Sequence, residues 1–357
     1  MKTIVALGLF IAAAAALGGG RPAAAAPCSP AGGLDFICGP RNSEDLIQVP
    51  GTRWVIGSDL AGGGVAAGKL HLIDSRDKTW KPLFPVGTPR LNPDKATYGA
   101  CPGAPDLGKF SAHGLNLRAG NGGADTLYVV NHGGREAIEI FALDAKGAEP
   151  TVTWIGCAVM PPHTWPNAVA PLPDGGFAVT DMFDPQDPKA PEEMNAGKTT
   201  GAVYEWHPQS GFKRVPGSEL SGDNGIAVSR DGKWIYVAAW GNKAVVRLSR
   251  GAGPVKRDIL PVGFLADNLR WAPDGTLIVA GQAVPAKEVF SCFESAKPRC
   301  TQPWRILRWD TEAMKLQTVK SGRGDPEFGG ATTGLEIGNE MFVGTFRGDR
   351  IAYFPLQ

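Results

Sequence analysis

Short runs of β-branched and aromatic residues recur along the chain, each bounded by Gly, Pro, Asn or Asp. Six are closely alike: WVIGSDL (54–60), TLYVVNH (126–132), FAVTDMF (177–183), WIYVAAW (234–240), TLIVAGQ (276–282) and MFVGTF (341–346). Their composition and length predict strands. Each is followed by a second run in which polar and apolar positions mostly alternate: KLHLID (69–74), AIEIFAL (137–143), AVYEWH (202–207), AVVRLS (244–249), RILRWD (305–310) and RIAYFPL (350–356). Alternation is the mark of a strand with one wetter face. A third run precedes each: EDLIQV (44–49), HGLNLR (113–118), NAVAPL (167–172), NGIAVS (224–229), DNLRWA (267–272) and TGLEIG (333–338). Asp174-Gly175, Asp231-Gly232 and Asp274-Gly275 follow three of these, and Asp-Gly is a strong hairpin signal.

One unit of three strands therefore recurs six times. Repeats of roughly 40–70 residues built from antiparallel strands predict an all-β, six-bladed β-propeller, closed radially so that no long sheet edge is exposed. A two-sheet sandwich would not repeat one triplet six times. The length of 357 residues suggests two domains by itself, but radial repeats form one body, and a single propeller domain is expected over 26–357.

In a propeller the first strand of each blade lies nearest the axis, so its first residues converge at one mouth of the channel. Those residues are Glu44, His113, Asn167, Asn224, Asp267 and Thr333, with Asn268 directly after Asp267. Asn and Asp are common before strands, which accounts for some of the set. It does not account for Glu44 and His113, nor for a polar residue in every repeat. Glu44, Asn167, Asn224, Asp267 and Asn268 supply two carboxylates and three amide oxygens, a set that suits a central hard divalent cation. Calcium takes about 6–8 oxygens in flexible geometry, magnesium a smaller octahedral shell, and zinc would want more imidazole or thiolate than His113 alone.

The chain has only five histidines. His113 opens one strand and His132 ends its partner, which an antiparallel hairpin brings to the same mouth. Two such groups beside a metal ring predict a proton relay. Asp267, both carboxylate and expected ligand, is a rival base or nucleophile. His71, His163 and His207 have no such placement and are read as structural. No G-x-S-x-G elbow occurs.

Charge and cysteine content narrow the class further. The formal net charge is +1 without a long basic or acidic run, which argues against nucleic acid and electrostatic membrane docking. Lys2, the apolar run Ile4–Leu17 and the small residues Ala23–Ala26 read as a signal peptide cleaved after Ala25; a spanning helix would need about 20 apolar residues. A soluble, secreted or periplasmic protein is expected. The six cysteines are then expected in disulfides. Of fifteen connectivities, Cys28–Cys38, Cys101–Cys157 and Cys292–Cys300 are preferred, two of them closing short loops. No C-x-x-C pair occurs.

The segments SEDL (43–46), HGL (113–115), VVNH (129–132), DNGIAVSRDGKWIYVA (223–238) and LADNLRWAPDG (265–275) resemble the paraoxonases, calcium-dependent lactonases and arylesterases, over most of the mature chain. More distantly the chain is similar to the gluconolactonase and senescence marker protein group. The resemblance implies a catalytic calcium on Glu44, Asn167, Asn224, Asp267 and Asn268, and a histidine dyad of His113 and His132. It also implies a second, structural calcium on Asp45, the Leu115 carbonyl and the residue after Asn167. That residue is Ala168, where paraoxonases carry a carboxylate, so this ion is absent, weaker or differently ligated. Paraoxonases also tie the N-terminal region to the last strand by a disulfide. Phe354 stands near the expected cysteine, and closure is left to strand pairing.

The function expected is calcium-dependent hydrolysis of a small lactone, with arylesterase activity besides. A non-catalytic binding propeller and a gluconolactonase-type hydrolase are the alternatives; the histidine pair separates the first from an enzyme and the paraoxonase side from the second. Two long loops, 184–201 and the Cys292–Cys300 region, are expected to overhang a mouth and carry specificity.

Overall fold

Six four-stranded antiparallel sheets make up the computed structural model, which describes residues 28–62, 67–120, 122–251 and 253–356. The expected leader, 1–25, lies outside the described residues. From the axis outward, the first blade runs Leu46–Gln48, Trp54–Ser58, Leu70–Asp74 and Thr79–Phe84. The next four begin with Ala112–Arg118, Pro166–Pro171, Asp223–Val228 and Leu265–Trp271. In the last blade, Ala331–Ile337, Glu340–Thr345 and Arg350–Pro355 are completed by Asp35–Cys38 from the other end of the chain.

That N-terminal strand closes the ring. Asp35, Phe36, Ile37 and Cys38 pair antiparallel with Tyr353, Ala352, Ile351 and Arg350. Backbone pairing thus joins the two ends without a covalent link between them. Phe354 is buried with Leu34, Phe36, Trp304 and Phe328, so the position carries packing where the resembled family carries sulfur. The three bridges are Cys28–Cys38, Cys101–Cys157 and Cys292–Cys300, the pairing preferred from sequence.

The outermost strand of each blade escaped the sequence pattern. Arg257–Pro261 and Lys315–Gly322 alternate between exposed and half-buried positions. Charged or Pro-containing edges protect a sheet from pairing with other chains, and that same character hides these two from a search for apolar runs. The inner strands, by contrast, are buried on both faces between blades. Ala168, Ala170, Ile226, Val237 and Val246 fill the wedge between the third and fourth blades. Tyr236, Leu269, Leu277 and Trp309 fill the next. Full burial of each Val, Leu or Ile side chain among them contributes about 1.5–3 kcal/mol.

Two helices stand among the described residues: α1, Ala190–Asn195, and α2, Ala286–Glu294. They lie in the two long insertions and pack against each other. Arg347 fastens the C-terminal end of α2 by donating to the carbonyls of Phe293 and, at 3.0 Å, Ser295, groups that no longer find partners within a helix. The Cys292–Cys300 bridge holds the same end. No described helix is long and apolar enough to cross a membrane.

Candidate active site

The innermost strand of five blades breaks register where the chemistry-bearing residues sit. Pairing skips between Ala112 and Leu115, Pro166 and Val169, Asp223 and Ile226, Ala266 and Leu269, and Ala331 and Gly334. The skipped pairs are His113 with Gly114, Asn167 with Ala168, Asn224 with Gly225, Asp267 with Asn268, and Thr332 with Thr333. A bulge re-aims side chains that a regular ladder would send between sheets. Glu44 arrives differently, just ahead of its strand. Its segment is clamped to the last blade by the Thr345 amide donating to the Ser43 carbonyl at 2.9 Å.

Glycine makes this convergence possible. A Cβ at Gly114 would lie 2.4 Å from the Asn167 carbonyl, and one at Gly225 would lie 2.2 Å from that of Asp267. Both approaches fall well inside contact distance, so glycine after His113 and after Asn224 is demanded by the neighbouring blade.

Glu44, Asn167, Asn224, Asp267 and Asn268 are all buried and all reach one mouth of the channel. Each carboxylate has one oxygen anchored and one bare. Asn268 donates to Glu44 Oε1 at 2.7 Å, and Gln282 donates to Asp267 Oδ2 at 2.7 Å. Trp240 in turn holds Gln282 at 3.0 Å. Glu44 Oε2, Asn167 Oδ1, Asn224 Oδ1, Asp267 Oδ1 and Asn268 Oδ1 have no hydrogen-bond partner. Unpartnered buried oxygens are costly, and a cation is what would satisfy these five together. Among the described residues no three His, Cys, Asp or Glu side chains converge as a ligand cluster; this set is mostly amide. Burial pushes the Glu44 carboxyl well above its usual range, aided by the nearby Asp45 charge. Burial does the same to Asp267, aided by Glu44. Thr332, not Thr333, lines its cavity; Thr332 Oγ1 donates to the Glu44 carbonyl.

Beside the ring, His113 Nδ1 lies 2.8 Å from His132 Nε2, and His132 Nδ1 lies 2.6 Å from Glu136 Oε2. A carboxylate only accepts hydrogen bonds. His132 therefore carries its proton on Nδ1, accepts from His113 at Nε2, and leaves the His113 Nε2 lone pair free. That nitrogen sits 3.5 Å from Glu44 Oε2, next to the ring. Trp165 stacks on His132 at 4.3 Å between ring centres and meets His113 edge-on at 5.3 Å. Burial lowers the pKa of His113 to about 4 and also depresses His132, against the opposing pull of Glu136. Both imidazoles are neutral at pH 7. Glu136, Gln282 and Trp165 were not singled out from sequence; of these only Glu136 left a signal, an acid four residues beyond His132.

Above the ring is a cavity of about 320 Å³. Its floor is Glu44, His113, Asn167, Asn224 and Asp267, and its walls include Leu60, Trp165, Phe183, Trp240 and Phe346. Pro191 of α1 and Val289, Phe290 and Phe293 of α2 overhang it. Both insertions therefore reach the mouth as expected.

Deeper in the channel Arg270 is buried. Its guanidinium donates to Asp45 Oδ2, to the Leu115 carbonyl at 2.8 Å, to the Leu46 carbonyl at 3.0 Å and to the Leu269 carbonyl at 3.1 Å. Asp45 and the Leu115 carbonyl, the positions that the resemblance implies for a second calcium and that Ala168 put in question, bond to this side chain.

The arylesterase family profile matches residues 40–353. Human serum paraoxonase/arylesterase 1 is 23% identical over 315 residues, which cover 85% of this chain and 83% of that protein. Among solved structures, a gluconolactonase from Xanthomonas campestris superposes with a TM-score of 0.53 at 18% identity, over 91% of this chain and 89% of its own. A luciferin-regenerating enzyme gives 0.54 at 15%, over 90% and 94%. At these identities the two structures show the shared fold alone.

Proposed function

The chain belongs to the arylesterase family, and from that premise we propose that it is a calcium-dependent carboxylic ester hydrolase acting on small lactones and, secondarily, aryl esters. The observation that carries this reading is the set of five bare, buried oxygens beside an oriented histidine pair. Glu44, Asn167, Asn224, Asp267 and Asn268 would hold the ion, two negative charges matching two positive. When bound, calcium supplies a Lewis acid that polarises the ester carbonyl and offsets charge developing on its oxygen.

The remaining chemistry falls to the chain itself. His113 Nε2 takes a proton from water as the water attacks the carbonyl carbon. The His113 Nδ1 proton can pass to His132 Nε2 over the 2.8 Å contact, and Glu136 stabilises the resulting imidazolium. As the acyl C–O bond then breaks, the pair returns that proton through His113 Nε2 to the leaving alkoxide oxygen, which restores both neutral imidazoles. Trp165, packed on both rings, holds their planes. Both imidazoles are neutral near pH 7 and so free to accept a proton. Burial makes His113 by itself a weak base, with a pKa of about 4, and handing the proton on to the Glu136-paired His132 is what makes its uptake favourable. The apolar walls exclude bulk water and suit an apolar acyl or aryl portion. Export after removal of 1–25 fits the three disulfides, which need an oxidising compartment.

The test is hydrolysis of a lactone panel and one aryl acetate by purified 26–357. Activity is measured in calcium, after chelation and after calcium is restored. Loss and recovery are expected. Full activity in chelator would overturn the metal reading. Calcium-dependent stability without turnover would point instead to a binding propeller.

A further inference from the structure

We infer that this chain fills its mid-channel cation position with a side chain: the Arg270 guanidinium stands where the second, structural calcium implied by the resemblance would sit, and no metal binds there. The inference rests on the reading above only for the ion at the mouth.

Every group that would serve the second ion is already engaged. Asp45 Oδ1 accepts from the Leu46 amide at 2.9 Å, and Asp45 Oδ2 accepts from the Leu115 amide at 2.8 Å as well as from Arg270. The Leu115 carbonyl accepts from Arg270 at 2.8 Å. Ala168 brings no side-chain oxygen, and its amide donates to Thr180 Oγ1 at 3.0 Å. A calcium ion needs about 6–8 oxygens; here one carboxylate and one carbonyl are shared with a fixed cation that would repel it. The charges already cancel, one guanidinium against one carboxylate. Both partners are buried, and Arg270 donates to four acceptors, the condition under which a buried ion pair holds.

The mouth and the middle thus differ in kind. At the mouth five oxygens are bare. In the middle both Asp45 oxygens are satisfied by the protein. Arg270 also ties the first, second and fifth blades together through Leu46, Leu115 and its own strand. The scaffold therefore keeps its central cross-link when the mouth ion leaves.

Calcium bound per chain, measured by equilibrium dialysis and atomic absorption on stripped and reloaded protein, tests this. One ion is expected in the unmodified protein, and two would overturn the inference. In the double variant Glu44→Gln, Asp267→Asn no ion is expected, and one retained ion would also overturn it. No ion in the unmodified protein would uphold the empty mid-channel while defeating the proposed mouth site, so the two failures are distinguishable. Thermal melting supplies a second readout. The stripped protein is expected to melt in one cooperative transition, with calcium adding a single saturable increment. Loss of tertiary structure on chelation would show that the middle depends on a metal and overturn the inference.

Discussion

Glu44 and Asp45 are neighbours in the chain, both carboxylates and both buried, yet their charges are handled in opposite ways. Asp45 turns into the channel, where Arg270 and two backbone amides hold it. Glu44 turns to the mouth, where it meets Asp267, three Asn side chains and a histidine, none of them a fixed cation. A buried carboxylate must be neutralised by a proton, a side chain or a recruited ion. The protein uses the second solution for the part that holds the blades together. The proposed ion would be the third solution, at the part proposed to face substrate. A permanent guanidinium at the mouth would fill the space that a carbonyl oxygen needs in the proposed reaction.

The contrast is broken most severely at Asp45. Asp45→Asn leaves a buried guanidinium without its countercharge, a loss of about 3–5 kcal/mol, read as a fall in denaturant midpoint whether or not calcium is present. Glu44→Gln is expected to reverse this pattern. In chelator it leaves stability unchanged or raised, because it removes like-charge repulsion, while in calcium it lowers kcat/KM about a thousandfold through lost ion binding, several kcal/mol of transition-state stabilisation. Equal destabilisation by the two variants would end the comparison.

Within the mouth, His113→Gln and His132→Gln are each expected to lower kcat about a hundredfold with the melting temperature held. The double variant falls little further, because the pair acts as a unit. Glu136→Gln is a milder change, about tenfold in kcat. Glu136 raises the His132 pKa against burial, so its removal lowers that pKa and moves the acid limb of the pH–rate profile to lower pH. An unmoved limb would remove Glu136 from the relay. The smallest effect concerns stability and pH. Glu44 and Asp267 have raised folded-state pKa values, so the stability they contribute is complete below the unfolded value of about 4 and is lost as pH rises. The metal-free protein is expected to lose a few degrees of melting temperature between pH 5 and 8. Calcium, by neutralising both groups, flattens that slope.

Much of this site was legible along the chain because a propeller repeats. Alignment of six inner strands placed Glu44, His113, Asn167, Asn224, Asp267 and Asn268 at one end before any contact was known, and hairpin geometry brought His132 to His113. Cysteine spacing suggested the pairing found. Arg270 left a faint trace, a charged residue two positions beyond Asn268 and so on the same side of an inner strand, but its partner Asp45 is far away in sequence. Gln282 and Trp165 left none, since an amide at a strand end and an aromatic before a strand are ordinary features.

The order of polar and apolar residues by itself determined the strands, their count in sixes and the polar character of one mouth, because local periodicity and turn chemistry act over a few residues. Tertiary structure alone decided which oxygens stay bare and which are satisfied. The bulges that aim the mouth side chains, the glycine contacts that let blades meet, and the reach of Arg270 to Asp45 all depend on segments far apart in the chain. At the centre of this protein those distances set whether a buried oxygen is held by the chain, as in Asp45, or left without a protein partner, as in Glu44 Oε2.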